Sequence, residues 1–191
     1  GRPMSINWLN DNANAILETW FAGTMAGDAI AKVLFGDYNP SGKLPVTFPR
    51  TVGQVPIYYN HKNTGRPGDL KNHYTSKYLD LPLTPLYPFG YGLSYTTFEY
   101  NDFKLSTNKI TNKDSIIVSV KVKNTGRYDG EEVVQMYVQD LVGSVTRPVK
   151  ELKGFKKVML KRGEGKTVEF VIIEKDLRFT AADMKFKSEP G

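Results

Sequence analysis

The stretch VLFGDYNPSGKLPVTFPR, residues 33–50, is where the chain passes from one kind of local order to another. It leaves a helical pattern at Gly36, turns through Asn39-Pro40 and Gly42, and continues as an extended apolar segment punctuated by Pro45 and Pro49. The residues before it read as strand, loop and helix. Those after it read as a long polar loop and then uninterrupted β pattern.

Upstream, residues 15–20 (AILETW) form a short apolar run that predicts a buried strand. Residues 21–24 turn, and 26–35 predict a helix, with Ile30, Val33 and Leu34 at helical spacing and Ala26, Gly27 and Ala29 small enough for close packing. Thr24 is the expected N-cap and Gly36 the expected residue after the C-cap. Nearer the start, Ser5 is placed to cap a short helix through Trp8-Leu9. Strand, Gly-containing loop and helix make half of a βαβ unit, and ligands of open α/β sheets bind beyond the carboxyl ends of strands. The loop 20–25 is therefore a candidate for lining a site, and equally reads as an ordinary crossover.

Downstream, residues 51–88 lack periodicity but hold Tyr58, Tyr59, Tyr74, Tyr78 and Tyr87. A loop this long in a compact protein is functional or disordered, and so many tyrosines favour an ordered, docked loop. Residues 88–95 (PFGYGLSY) separate two compositions. Beyond them Val118, Val120 and Val122 alternate with Ser119, Lys121 and Lys123. Asn124-Thr125-Gly126, Asp129-Gly130 and Arg162-Gly163 are turn signals between strands expected at 133–139, 158–160 and 168–173. Short strands at this spacing predict an immunoglobulin-like or fibronectin type III-like β-sandwich. Gly1-Arg2-Pro3 reads as a strand end turning into a loop, and Glu189-Pro190-Gly191 as a turn before a further strand. Both ends are thus expected to lie inside a longer chain.

Composition narrows the function classes. Apolar residues make up 40% and aromatic residues 12% of the 191, enough for a packed core. The 11 Tyr and 10 Phe suit a β-rich protein first and a sugar-handling surface second. There is no cysteine, which removes disulfides, thiolate metal sites and Cys nucleophiles. No apolar run approaches the ~18 residues of a membrane span. Residues 1–100 hold 8 Lys+Arg against 7 Asp+Glu, and residues 101–191 hold 18 against 13. That excess is scattered along strands, with no basic stripe interleaved with aromatics. It reads as solvated sheet edges, and nucleic acid is not an expected partner.

Residue chemistry alone points to no catalytic centre. His61 and His73 are the only histidines and lack partners at metal-ligand spacing. Gly23 and Gly27 do not open a phosphate loop, since no Gly-Lys-Ser/Thr comes after them. Asp28, Asp37, Asp69 and Asp80 are dispersed, and each has an ordinary reading: Asp28 falls in a first helical turn, where a negative charge suits the helix dipole.

Longer motifs carry more. GRPM, AILETWFAGTMAGDAIAKVLFGDYNPSGKLPVTFPR, VGQVPIYYNHKNTGRP, YTSKYLD and LYPFGYGLSYTTF resemble, in order and spacing, the C-terminal part of family 3 glycoside hydrolases, the bacterial periplasmic β-glucosidase type. Residues 133–140, RPVKELKGF (147–155) and the terminal EPG are similar to the fibronectin type III-like domain appended to them. The resemblance covers nearly the whole chain. It implies the C-terminal portion of an α/β sandwich domain over 1–90 and a fibronectin type III-like β-sandwich over 91–191, the latter without its last strand.

The resemblance also implies a parent enzyme that cleaves terminal β-D-glucosyl residues from glucosides or β-gluco-oligosaccharides with retention, using an Asp nucleophile and a Glu acid/base and no cofactor or metal. Both carboxylates are expected outside this chain, so the chain alone is expected to be inactive. The loop carrying NTGRP and YTSKY would approach the active-site mouth, making Arg66, Tyr74 and Tyr78 candidate substrate-binding residues, with Trp20 and Thr24 near the cleft. Arg suits sugar hydroxyls through its fork of donors, and Tyr through an apolar face and a hydroxyl. The plainer reading pairs Arg66 with a carboxylate and has the tyrosines glue the loop down. Two departures from the family pattern stand out: Thr24-Met25-Ala26-Gly27 where many relatives have Glu followed by two glycines, and Lys77 where Arg is usual. Export to the periplasm or secretion is implied, membrane insertion is not, and a homodimer of the parent enzyme is left open. The alternatives are a β-xylosidase parent, one piece of a split enzyme, and a stand-alone sandwich binding carbohydrate or protein through Tyr128, Tyr137 and Phe155.

Overall fold

The computed structural model describes residues 1–111 and 113–190, and its chain divides into two compact units, Gly1–Leu93 and Ser94–Gly191. Gly191, the last residue of the terminal turn expected above, lies outside the described residues.

The first unit contains helices α1 (Asn7–Asn12) and α2 (Ala26–Leu34) and a 3-10 turn, Val52–Gln54. The expected periodicity is realised in α2, which stops one residue short of the predicted end. It closes on Gly36, whose φ of +85° is a left-handed conformation that a residue without Cβ adopts freely. Gly36 N–H donates to the Val33 carbonyl (3.2 Å) and Tyr38 N–H to that of Lys32 (3.0 Å). The helix starts differently from expectation. Met25 holds the cap position without a side-chain bond, and Ala26 N–H turns back to the Gly23 carbonyl at 3.0 Å, leaving Thr24 without the capping role. Likewise Ile6, and not Ser5, precedes α1.

Residues 15–20 correct a second expectation. They belong to no ladder among the described residues, and Ile16 and Leu17 are exposed. The Glu18 carboxylate accepts from Trp20 N–H at 2.7 Å, and Trp20 adopts φ +50°.

Phe48 and Gln54 are the most deeply buried large side chains of the first unit, each 2% exposed. The Trp20 and Tyr87 rings meet Phe48 edge-on, with centroids at 6.0 and 6.1 Å. Residues 44–48 run antiparallel to 86–91: Phe48 N–H donates to Tyr87 O (2.8 Å), Leu86 N–H to Phe48 O (2.9 Å), and Leu44 N–H to Tyr91 O (2.7 Å). Buried Gln54 ties both sides of the intervening loop, accepting from Arg50 N–H at 2.7 Å and donating to the Pro82 carbonyl at 3.3 Å.

The second unit is all β. Strands β1 (Phe98–Leu105), β2 (Ser115–Asn124) and β5 (Gly165–Ile173) form an antiparallel sheet in the order β1-β2-β5; β3 (Gly130–Val138) pairs with β4 (Glu151–Leu160), and β6 (Phe179–Thr180) with β7 (Phe186–Lys187). The register Val118↔Phe170 and Val120↔Val168 puts the alternating apolar residues of β2 and β5 on one face. Val118, Val122, Val168, Phe170 and Ile172 pack there against Val134 and Leu160 of the other sheet. The sheets come close at Gly154, where a Cβ would lie 3.0 Å from Phe170 Cδ1. The expected strands all appear, with longer limits, because ladder bonding carries β3 back to Gly130 and β4 back to Glu151.

Two polar residues interrupt this core. The Tyr100 hydroxyl donates to the buried Glu132 carboxylate at 2.9 Å, and burial together with that carboxylate pushes the phenol well above its ordinary range. Asn124 is wholly buried and uses every polar position of its amide. Its oxygen accepts from Thr96 Oγ1 (2.7 Å) and Gly126 N–H (3.1 Å), and its nitrogen donates to the carbonyls of Tyr128 (2.8 Å) and Leu160 (3.1 Å).

Candidate functional site

The loop between Phe48 and Tyr87 is anchored at its base and folded on itself at its tip. At the base, the Tyr59 and Phe89 rings stack at 4.2 Å, the Tyr87 and Tyr91 rings stack at 5.3 Å, and the Tyr87 hydroxyl donates to Asn10 Oδ1 at 2.7 Å. Partial burial, with Tyr91 and then Asp11 nearby, raises the Tyr87 phenol above its ordinary value.

At the tip, short polar side chains replace ladder bonding. Ser76 N–H donates to the Arg66 carbonyl (3.0 Å), and the Thr64 hydroxyl donates to Ser76 Oγ (3.1 Å). Asp69 and Asn72 each bend the chain over themselves, their side-chain oxygens accepting from Lys71 N–H (2.9 Å) and Tyr74 N–H (3.0 Å). The Thr75 hydroxyl accepts from Asp69 N–H at 3.0 Å and reaches the carbonyls of Asp69 (3.0 Å) and Asn72 (2.9 Å). The Lys77 ammonium, on a half-buried side chain, donates to the carbonyls of Asn72 (2.9 Å), Asp69 (3.1 Å) and Leu70 (3.3 Å).

This folding shapes an open depression of about 590 Å³ lined by Arg66, Pro67, Asp69, Asn72, Tyr74 and Thr75. It brings together Arg66 and Tyr74 from positions eight residues apart. Among the described residues the Arg66 guanidinium has no ion pair or hydrogen bond, so its donors stay available and the carboxylate pairing of the plainer reading is not formed. Tyr74 is 78% exposed and packs edge-to-face with His73, with ring centroids at 5.6 Å. A positive fork, an aromatic face, an amide and a carboxylate around one open depression suit a polyhydroxylated ligand.

The other three candidates lie outside that lining. Tyr78 is partly exposed beyond the tip, Trp20 packs on Phe48, and Thr24 is exposed in the turn before α2. Sequence reasoning missed Asp69 and Asn72, although the pattern Asp-x-Lys and Asn-x-Tyr carried the signal of side-chain-bonded turns. Among the described residues no group of three His, Asp or Glu side chains could hold a metal ion, and no helix is long and apolar enough to cross a membrane.

Residues 1–95 match the glycosyl hydrolase family 3 C-terminal domain, and residues 132–191 the fibronectin type III-like domain. The chain belongs to glycoside hydrolase family 3. Relatives within that family align over all of it. A periplasmic beta-glucosidase of Salmonella typhimurium is 56% identical over 193 residues, which span 100% of this chain and 25% of that protein. A beta-xylosidase of Formosa agariphila is 50% identical, over 100% of this chain and 26% of that protein. Among solved structures, the beta-glucosidase of Listeria innocua in complex with glucose superposes with a TM-score of 0.92 at 46% identity, covering 100% of this chain and 27% of the other. A mutant of that Listeria enzyme in complex with laminaribiose gives the same TM-score of 0.92 over 100% of this chain and 26% of the other. The chain therefore spans about a quarter of the length of these family 3 relatives.

Proposed function

We propose that this chain is the C-terminal part of a retaining β-glucosidase, and that the tip of its 48–87 loop forms the outer, leaving-group side of the sugar site. The observation that carries this reading is the juxtaposition of an unpaired Arg66 guanidinium and an exposed Tyr74 ring in one depression. The guanidinium donates to the hydroxyls of the departing sugar while the phenol ring covers its apolar face. The acid/base and nucleophile carboxylates that cleave the bond come from the remainder of the enzyme. Family 3 relatives that act on glucosides, one of them periplasmic by name, support both the reaction and an exported location. A homodimer adds nothing to this reading, which rests on the loop alone.

The test is steady-state kinetics of the complete enzyme on laminaribiose and on an aryl β-glucoside, with the 191-residue chain assayed beside it. The complete enzyme should turn over both substrates, and the chain alone neither. Arg66→Ala and Tyr74→Ala should each raise KM for laminaribiose about tenfold, the loss of one good polar or stacking contact. Unchanged KM in both variants overturns the assignment of the loop. Turnover by the chain alone overturns the location of the carboxylates.

A second reading has its own support: the Formosa relative at 50% identity is a beta-xylosidase. Comparing aryl β-glucoside with aryl β-xyloside in the same assay separates the two.

A further inference from the structure

We infer that Lys77 is a positioning residue, and that its ammonium holds the 69–72 turn so that Asn72 and Tyr74 line one depression with Arg66. The inference deepens the function proposed above and rests on it for its kinetic part.

At the tip three carbonyls crowd around one donor. Residues 69–72 form a turn closed by Asn72 N–H donating to the Asp69 carbonyl (3.2 Å), and the carbonyls of Asp69, Leu70 and Asn72 converge on the Lys77 ammonium. Converging carbonyl dipoles repel one another unless a donor stands between them. Lys77 supplies three protons on one atom, together with a positive charge, and reaches all three oxygens at 2.9–3.3 Å. Thr75 binds two of the same carbonyls from the adjoining position, so the returning arm 75–77 grips the turn at two points.

The turn in turn sets the lining. Asn72 Oδ1 accepts from Tyr74 N–H, so the placement of the Tyr74 backbone depends on where residue 72 is held. Ser76 N–H donates to the Arg66 carbonyl at 3.0 Å, which ties Arg66 to the same arm. Lys77 itself is not among the residues lining the depression. Its effect on a sugar must therefore pass through the turn. Without the ammonium, the turn keeps its Asn72-to-Asp69 bond and the Thr75 contacts but loses the donor that gathers its three carbonyls, and the placement of Tyr74 in the lining loosens.

The test uses Lys77→Met, which keeps the length of the stem and removes the donors, and Lys77→Arg, which keeps charge and N–H groups. Amide hydrogen exchange of the complete enzyme should show the amides of Asn72, Tyr74 and Ser76 exchanging at least tenfold faster in Lys77→Met. Amides of the β2–β5 ladder should be unaffected, and Lys77→Arg should recover most of the protection. In the complete enzyme, Lys77→Met should raise KM for laminaribiose at least fivefold with kcat changed less than twofold. Unchanged exchange at the tip overturns the clamp. Faster exchange with unchanged KM overturns the positioning role and leaves Lys77 merely structural. Wild-type enzyme inactive on both substrates overturns the proposed function, and the exchange result keeps that failure distinct from failure of the clamp.

Discussion

Phe48 and Tyr87 form an isolated antiparallel bridge whose two rings also meet edge-on at 6.1 Å, so one residue pair closes the loop in both backbone and side chain. This pair shares the closure of the loop with Gln54, which bonds Arg50 N–H and the Pro82 carbonyl, and with Arg50, whose Nε donates to the Thr84 carbonyl at 3.0 Å.

Phe48→Ala should therefore cost more than a typical loop substitution. Phe48 is 2% exposed, and removing its ring leaves a cavity beneath Trp20 and Tyr87. The expected loss is about 3–5 kcal/mol in the unit that holds it. Trp8 and Trp20 are the only tryptophans and both belong to that unit, so the urea midpoint read by Trp fluorescence reports it selectively. A midpoint within error of wild type would show that the bridge does not hold the loop.

Asn124→Leu tests the second unit. The substitution keeps the branched outline of the side chain but abandons Thr96 Oγ1, Gly126 N–H and the carbonyls of Tyr128 and Leu160. Unsatisfied buried groups of this kind predict a loss of about 3 kcal/mol, seen as a lower thermal midpoint in the far-ultraviolet strand signal. Asn124→Asp, which keeps the acceptor and loses the donors, should also destabilise the unit at neutral pH. A wild-type midpoint in Asn124→Leu would mean the buried amide contributes no net stability.

Acid should weaken the second unit through Glu174. Arg178 donates to both carboxylate oxygens (Nε at 2.8 and 2.9 Å) and the Ser188 hydroxyl to one (2.6 Å), which brings the Glu174 carboxyl down to about 2. The Lys161 amide, Lys187 and the Ser144 amide lower the carboxyls of Glu164, Asp183 and Glu189 in the same direction. A carboxyl depressed on folding stabilises the folded state above its unfolded value. That contribution is lost as pH falls from about 4.5 towards 2. Glu174→Gln should thus lie below wild type in urea midpoint at pH 7, with the gap closing as pH approaches 2. A gap independent of pH would refute the linkage.

The tip of the loop shows where sequence reading reached its limit. Arg66 and Tyr74 were identifiable through the NTGRP and YTSKY motifs, and the structure places both on one depression. Lys77 was visible only as a departure from a family pattern; its hold on three carbonyls depends on a turn that no periodicity encodes. Asp69 and Asn72 were missed as lining residues because a polar loop residue does not announce which way its turn faces.

The sequence by itself determined β2, β3, β5 and the end of β4 in the second unit, while β1, β6 and β7 were not expected from it. Alternation in β2 and β5 assigns each side chain to a face with period two, and Gly and Asn at the turns set where strands reverse; both are local properties. It also determined α2 and its end at Gly36, since helical spacing and a left-handed glycine are local as well. What only the tertiary structure decided is the state of residues 15–20 and the shape of the 49–86 loop. An apolar run becomes a strand only when a neighbouring backbone offers it hydrogen bonds, and among the described residues none lies beside 15–20. A loop without ladders takes its shape from side-chain bonds between residues that are distant or irregularly spaced in sequence, as Gln54 with Pro82 and Lys77 with Asp69 demonstrate.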